Sequence, residues 1–468
     1  MNYISTRGRA PALAFDDVLL TGLARDGGLY VPETWPQFSA DEIASWKDLS
    51  YAELAFQVIK PCIGETIADA DLKRILDQAY AAFDTPEVAP LRRLSNAWGD
   101  DAWMLELFHG PTLAFKDMAM QFLGRAFDHV LGERGERVCI VGATSGDTGS
   151  AAIEACRDRD AIDVFILYPD GRVSDVQRRQ MTTVQSANIH TLAVDGSFDD
   201  CQDLVKAAFN DIAFRDRTRM SAVNSINWAR IVAQIVYYFW AALKVGAPER
   251  PVAFTVPTGN FGNVFAGYAA SRMGLDIAQL VIGSNSNDIL TRFFETGAMQ
   301  IGEVAPTISP SMDIQVSSNF ERLLFELLER DGEAVNETLT RFRESGRFEV
   351  SAEVLAKATS LFDAARFDDE QTRAAIAEAH REFGQLIDPH TAVALAAAKA
   401  KRRDANIPMV VIATAHPAKF PDAVAAATGI TPALPSHLAD LHNRDERITK
   451  IANSLAAVED FVEGNRNP

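Results

Sequence analysis

Apolar positions along the chain change their period near residue 100. Residues 1–98 begin turn-rich, at RDGGLYVPE, and then turn helical: in YAELAFQVIKPCIG and DADLKRILDQAYAAF apolar side chains recur every three to four positions. From about residue 102, short β-rich runs take over: AWMLELF, RVCIVGA, VFILYP, NIHTLAV, VAFTVP, LVIGS and PMVVIAT. Helical stretches separate most of them, and this alternation predicts α/β architecture with mainly parallel sheets. The runs between about residues 137 and 223 are closely spaced, end at SAVNS and can form a small sheet of their own. Residues 320–405 read as charged and helical, as in ERLLFELLERDGEAVNETLTRF. AAATGITPALPSHLADL reads as a loop before a last helix, and no repeat or low-complexity tract interrupts the pattern.

Composition narrows the possible partners. With 468 residues, 47% of them hydrophobic, the chain can bury a large core and fill several domains. Its formal charge of −19 opposes binding to nucleic acid or anionic membranes. Any anionic ligand therefore needs a local pocket of donors. Cys62, Cys139, Cys156 and Cys201 show no metal-ligand spacing and read as buried free thiols. No apolar signal core opens the chain and no run reaches a membrane span, so the expectation is a soluble, cytoplasmic protein.

Five segments carry candidate chemistry. In HGPTLAFKDMAMQFLGRAF, Lys116 sits between a turn and an apolar helix face, where desolvation favours a nucleophilic amine. Read alone it fits a surface lysine with its stem on apolar neighbours better. In VCIVGATSGDTGSAAIEAC, the loop Thr144, Ser145, Gly146, Asp147, Thr148, Gly149 leads from a strand into a helix; it suits a carboxylate or phosphate, or is an ordinary capped turn. In VAFTVPTGNFGNVFAGYAA, Gly259, Asn260, Phe261, Gly262 and Asn263 can wrap N–H groups around a phosphate. Thr414 ends the strand PMVVIAT, where open α/β sheets place ligand-contacting residues, and His416 and Lys419 follow it. Asn224, Ser225 and Arg230 open an apolar helix, either as anion donors or as a helix cap with a surface arginine.

In this order the segments resemble the longer bacterial and fungal type of threonine synthase, over nearly the whole chain, from YISTRG and DGGLYVPE through HGPTLAFKD, SGDTGSAA, VNSINWARI, GNFGN and SMDI to DPHTAVA and TAHPAKFP. The resemblance implies a fold type II pyridoxal phosphate (PLP) enzyme: two open, mostly parallel α/β domains with the cofactor between them, behind a mainly helical N-terminal domain. The expected division is 1–98, then 99–136 with 224–468 as the large domain, and 137–223 as the small one. Lys116 matches the Schiff-base lysine, residues 259–263 the cofactor-phosphate cradle, and Thr414 the hydroxyl facing the pyridine nitrogen. Asp147 stands where wider relatives place an Asn on the cofactor's 3′-oxygen, yet an ionised Asp cannot donate that bond. Thr144, Ser145 and Thr148 match a loop for the substrate carboxylate or phosphate, and Asn224, Ser225 and Arg230 a substrate-phosphate clamp.

The implied reaction turns O-phosphohomoserine and water into threonine and phosphate, by loss of the γ-phosphate and addition of water at the β-carbon. The implied protein is a monomer or homodimer. A serine or threonine dehydratase shares the lysine, the glycine loop and the fold, but needs no phosphate clamp. A retired homologue that only binds ligand or partner would have lost the lysine or the loop, and both are intact here. SMDIQVSSNFER and the residues His109, His390 and His416 receive no role from sequence.

Overall fold

The computed structural model describes residues 1–94, 101–221 and 224–467. Its two main sheets account for all seven apolar runs. A six-stranded sheet runs, edge to edge, Phe362–Arg366, Ile277–Ser284, Val252–Pro257, Met409–Ala413, Ala102–Glu106 and Leu91–Arg93. All its neighbours are parallel except the last pair. A five-stranded, wholly parallel sheet runs Thr449–Ile451, Ile189–Val194, Ile162–Pro169, Val138–Ala143 and Met220–Ser221. Ile162–Pro169, Val252–Pro257 and Met409–Ala413 are buried at every position, because helices cover both faces of a parallel sheet. Their sequences therefore read as unbroken apolar runs rather than alternating ones.

The strands that the apolar pattern misses lie at edges. Phe362–Arg366 falls inside the stretch expected to be helical, yet it pairs parallel with Ile277–Ser284. Asp363 and Arg366 interrupt its apolar run, and pairing partners decide the outcome at such a position. Thr449–Ile451 and the helix Leu455–Asn465 follow the segments of the large sheet in sequence. Yet the strand pairs with Ile189–Val194, and Val458 and Val462 enter the core of the five-stranded sheet. The second sheet is thus built from both the middle and the end of the chain, whereas the division read from sequence assigns residues 224–468 wholly to the large unit. The expected boundary at 98/99, and Ala222 and Val223 of SAVNS, lie outside the described residues.

The N-terminal helices Tyr51–Ile63 and Asp69–Tyr80 pack directly on helices of the rest of the chain. Tyr51–Ile63 packs on Trp228–Val245, and Asp69–Tyr80 on Lys116–Arg134. Ser50 opens Tyr51–Ile63 with a capping box, accepting from the Glu53 N–H while the Glu53 carboxylate accepts from its own. Tyr51 stacks edge-on against Tyr80 and Trp240, and Trp240 Nε1 donates to the Ala89 carbonyl at 2.8 Å. Each fully buried aliphatic or aromatic side chain here contributes roughly 1.5–3 kcal/mol. The layer behind the helix that begins with Lys116 is correspondingly firm. The four cysteines are buried free thiols, and burial pushes Cys62, Cys139 and Cys156 up to about 12. Among the described residues, no helix is long and apolar enough to cross a membrane.

Candidate active site

Three parallel neighbours, Val252–Pro257, Met409–Ala413 and Ala102–Glu106, end on the same edge of the large sheet. The loops leaving that edge carry the glycine segment 258–263, Thr414 and the turn before Lys116, so the sheet topology brings together what the sequence scatters. The Lys116 turn is clipped to the Thr414 strand end. The Phe115 N–H donates to the Thr414 carbonyl at 2.8 Å, Ala114 bridges Ala415, and the His416 N–H donates to Leu113 O at 3.0 Å. Leu113, fully buried, sits at φ 62°, a left-handed conformation that costs a branched residue about 1 kcal/mol or more. Buried Asp117 holds the turn by accepting from the Thr112 N–H and hydroxyl, both at 2.8 Å. A Cβ on Gly110 would lie 2.4 Å from the Asp117 side chain.

Lys116 begins the helix Lys116–Arg134, and only 11% of its side chain is exposed. The surface-lysine alternative is therefore set aside. Its Nζ lies 3.2 Å from Asp147 Oδ2 and 4.9 Å from the Phe115 ring centre. Burial lowers the ammonium's pKa, and the charges of Lys419 and Arg230 add to this against the pull of Asp147. Burial alone would raise the Asp147 carboxyl. Lys116, Lys419 and the Gln177 amide together overcome it and hold Asp147 well below the usual carboxylate range. Asp147 is thus an acceptor on both oxygens and cannot donate to a phenolic oxygen.

Its loop is shaped from within. Thr144 Oγ1 accepts the N–H groups of Gly146 and Gly149, at 3.0 and 2.9 Å. Gly146 lies at φ 139°, and a Cβ there would strike Gln177 at 2.5 Å. Ser145 is exposed and Thr148 half-buried at the start of the helix Asp147–Cys156, whereas Thr144 is buried. Arg230 is buried in Trp228–Val245, and burial lowers it to about 10. The surface-arginine alternative is therefore also set aside. Asn224 and Ser225 lie before that helix, whose cap is Asn227, accepting from the Ala229 N–H at 3.0 Å.

The loop Gly259–Asn263 is organised from behind. Ser317 Oγ donates to Gly259 O at 2.7 Å, and the Asn319 amide donates to Asn260 O at 2.9 Å. The loop carbonyls are thereby engaged, while the N–H groups of Asn260, Phe261, Gly262 and Asn263 have no acceptor among the described residues. Phe261 takes a left-handed φ of 63° and its buried ring anchors the start of the helix Gly262–Arg272. Asn263 Oδ1 accepts from Tyr237 and Tyr238, at 2.6 and 2.9 Å, which leaves its buried Nδ2 a donor with no partner. Four amides, a buried side-chain donor and a helix N-terminus fit a phosphate, and a nearby buried lysine fits an aldehyde. The residues present therefore suit pyridoxal phosphate.

Sequence reasoning left SMDIQVSSNFER without a role, and the structure makes it the brace of this loop. Ser311 O lies 2.8 Å from where a Gly259 Cβ would be. The Ser311 N–H donates to His390 Nε2 at 3.2 Å, and His390 Nδ1 bonds to the fully buried Asp388 at 2.8 Å. Arg322, fully buried, joins Asn319 to the carbonyls of Tyr30 and Ile226. His109 bridges Asp84 and Glu106 at 2.8 and 2.9 Å. Burial would lower its pKa, but the two carboxylates outweigh that and raise it. Burial takes His416 down to about 4. Both line a cavity of about 370 Å³ that Lys116, Asp147, Thr414 and residues 259–263 do not border.

Three family models match in series: threonine synthase N terminus over residues 2–80, pyridoxal-phosphate dependent enzyme over 80–415, and threonine synthase C-terminal over 391–462. The threonine synthase of Pseudomonas aeruginosa is 58% identical, over 100% of this chain and 99% of its own. The chain belongs to the threonine synthase family of pyridoxal-phosphate-dependent enzymes. Solved threonine synthases superpose end to end. The PLP-bound one from Brucella melitensis has a TM-score of 0.97 at 53% identity, and that from Escherichia coli 0.83 at 31%, each covering 100% of both chains. The fold type II architecture, the cofactor and the threonine synthase activity expected from sequence all stand. The N- and C-terminal threonine synthase matches also set the dehydratase alternative aside.

Proposed function

We propose that this threonine synthase converts O-phospho-L-homoserine and water to L-threonine and phosphate with Lys116 as the anchoring amine and the proton-transfer group. The position of Lys116 carries the reading: a nearly buried amine, its ammonium destabilised by burial, beside the edge of the sheet from which the loop of unclaimed amides leaves. Pyridoxal phosphate, when bound, supplies a carbonyl carbon for an amine and a conjugated ring that takes up carbanion charge. Residues 259–263 would hold its phosphate through their backbone amides and Asn263 Nδ2. The Thr414 hydroxyl would serve the ring nitrogen and, unlike a carboxylate, would not enforce its protonation.

Lys116 Nζ, when free, is the base at the substrate α-carbon and carries the proton returned at the γ-carbon. Ser145 and Thr148, with the helix N-terminus behind them, take the substrate carboxylate or phosphate, and Thr144 keeps their loop in shape. Arg230, Asn224 and Ser225 take the leaving phosphate, so a chain of charge −19 binds an anion through local donors. Asp147 stays an ionised partner of lysine amines and has no donor role at the cofactor's 3′-oxygen. We place residues 137–221 and the final strand and helix in one unit, facing the remainder across Lys116. The protein works in the cytoplasm as a monomer or homodimer.

The test is direct. With phosphohomoserine, the purified enzyme is expected to release phosphate and threonine in equal amounts. Lys116→Ala is expected to lower that rate by at least ~10³-fold and to lack the absorbance of lysine-bound cofactor. Substantial turnover by the variant would overturn the role of Lys116. Ketoacid and ammonia formed from threonine, without phosphate, would overturn the reaction.

A further inference from the structure

Lys419 is a buried charge for which the mechanism above has no use. It is fully buried at the end of the short 3-10 turn Pro417–Lys419, a few residues past Thr414. Its three ammonium donors are all taken: Thr112 O at 2.7 Å, Gln180 Oε1 at 2.9 Å and Asp147 Oδ1 at 2.9 Å. An ammonium has three donors and no more, so this one has none left for substrate or cofactor. Its partners come from three places: the turn before Lys116, the helix Asp175–Thr182 and the first residue of Asp147–Cys156. A fully desolvated cation is costly, and this one is kept only because every donor is satisfied.

Asp147 stands between two lysines. One carboxylate oxygen meets Lys419 and the Gln177 amide, the latter at 2.8 Å, and the other meets Lys116 at 3.2 Å. We propose that Lys419 is a positioning residue for Lys116: it holds the Asp147 carboxylate in a fixed orientation and takes up part of its charge, so that the Lys116 amine is anchored without being locked as an ion pair. The proposal rests on Lys116 being the amine that captures the cofactor. The charged groups around the pair are few. Asp147, Lys419 and Arg230 act on Lys116, and Asp117, tied to Thr112, lies within reach of Lys419. Three cations and two carboxylates surround one another in a largely buried cluster, where each is felt strongly. Burial is the main cause of the lowered pKa of Lys116, and the Lys419 ammonium adds to it by disfavouring a second ammonium there.

The sign of the effect follows. Cofactor capture needs the neutral amine, whose share grows as pH rises through the pKa of Lys116. Without Lys419, Asp147 turns its whole charge on Lys116 and the ammonium is favoured. In Lys419→Gln, the pH midpoint for capture of added pyridoxal phosphate, read from the absorbance of the lysine-bound form, is expected to rise by about one pH unit or more. Loosened packing alone would reduce the amplitude and leave the midpoint in place. Asp147→Asn is close in shape and reads the same geometry from the other side: its midpoint is expected below that of the parent protein. In the double variant the shift caused by Lys419→Gln is expected to fall to less than half, because the part routed through Asp147 is gone.

An unchanged midpoint in Lys419→Gln overturns the proposal, as does the same shift with and without Asp147. If Lys419→Gln does not fold, Asp147→Asn still decides, and a midpoint at or above the parent value overturns the proposal. A Lys116→Ala protein that captures cofactor with the parent's pH curve would instead overturn the assignment of Lys116 on which this rests.

Discussion

The molecule holds two strand–loop–helix segments of similar composition with opposite electrostatic character. In residues 144–149 the side chains satisfy the loop from inside: Thr144 Oγ1 takes two backbone N–H groups, and Asp147 is engaged by Lys116, Lys419 and Gln177. In residues 259–263 the outside partners Ser317 and Asn319 take the carbonyls, and the amides remain available as donors. One loop presents a carboxylate to lysine amines; the other presents unclaimed backbone amides, the donors we propose for the cofactor phosphate. Glycine content and a following helix do not distinguish them. What distinguishes them is which half of each peptide group the surroundings have already claimed.

The sharpest way to break this contrast is to reverse the charge of the cradle. Asn263→Asp keeps an acceptor for the Tyr237 and Tyr238 hydroxyls but replaces the unpartnered donor with a carboxylate. Equilibrium dialysis is expected to show cofactor affinity reduced roughly 100-fold or more. If affinity is unchanged, the phosphate does not sit on residues 259–263.

A paired glycine substitution separates binding from folding. Gly259→Ala pushes a Cβ toward Ser311 O at 2.8 Å, so cofactor affinity is expected to fall about tenfold with a smaller loss of stability. Gly146→Ala meets Gln177 at 2.5 Å and forces an unfavourable φ of 139°, so its main effect is expected on the thermal midpoint, at ~1–3 kcal/mol. Equal losses of affinity in both variants would mean that the loops do not divide the work.

The smallest effect is expected from Ser317→Ala, which removes the donor to Gly259 O. At ~1 kcal/mol for one hydrogen bond, cofactor dissociation should quicken about fivefold while kcat of the saturated enzyme holds. No change in dissociation would mean that SMDIQVSSNFER packs beside the cradle without shaping it.

Legibility in the sequence follows the range of the interactions involved. The seven strands are readable because burial, complete along three of them and predominant in most of the others, writes an apolar run into each. Leu91–Arg93 and Thr449–Ile451 are short, partly exposed edge strands, and nothing local marks them. Lys116, Thr414 and residues 259–263 sit at strand ends or before helices, where position itself is a signal. Their supports are not readable in this way. Lys419 reaches Thr112 across 307 positions, and the Ser311 N–H finds His390 across 79. Arg230 shows the limit within one residue: a helix period marks it for a face, but only the packing of Trp228–Val245 makes that face an interior one.

The placement of Thr449–Ile451 bears on how the protein is made. The strand it pairs with, Ile189–Val194, is synthesised long before it, and until residues 449–451 leave the ribosome the five-stranded sheet has a bare edge. Glu446, just ahead of that strand, binds Arg178 at 2.9 Å and Thr182 at 2.7 Å, so the tail docks by charge as well as by backbone pairing. Residues 446–451 therefore close a sheet built from residues 138–221. A nascent molecule in which residues 449–451 have not yet docked carries an open strand edge at Ile189–Val194.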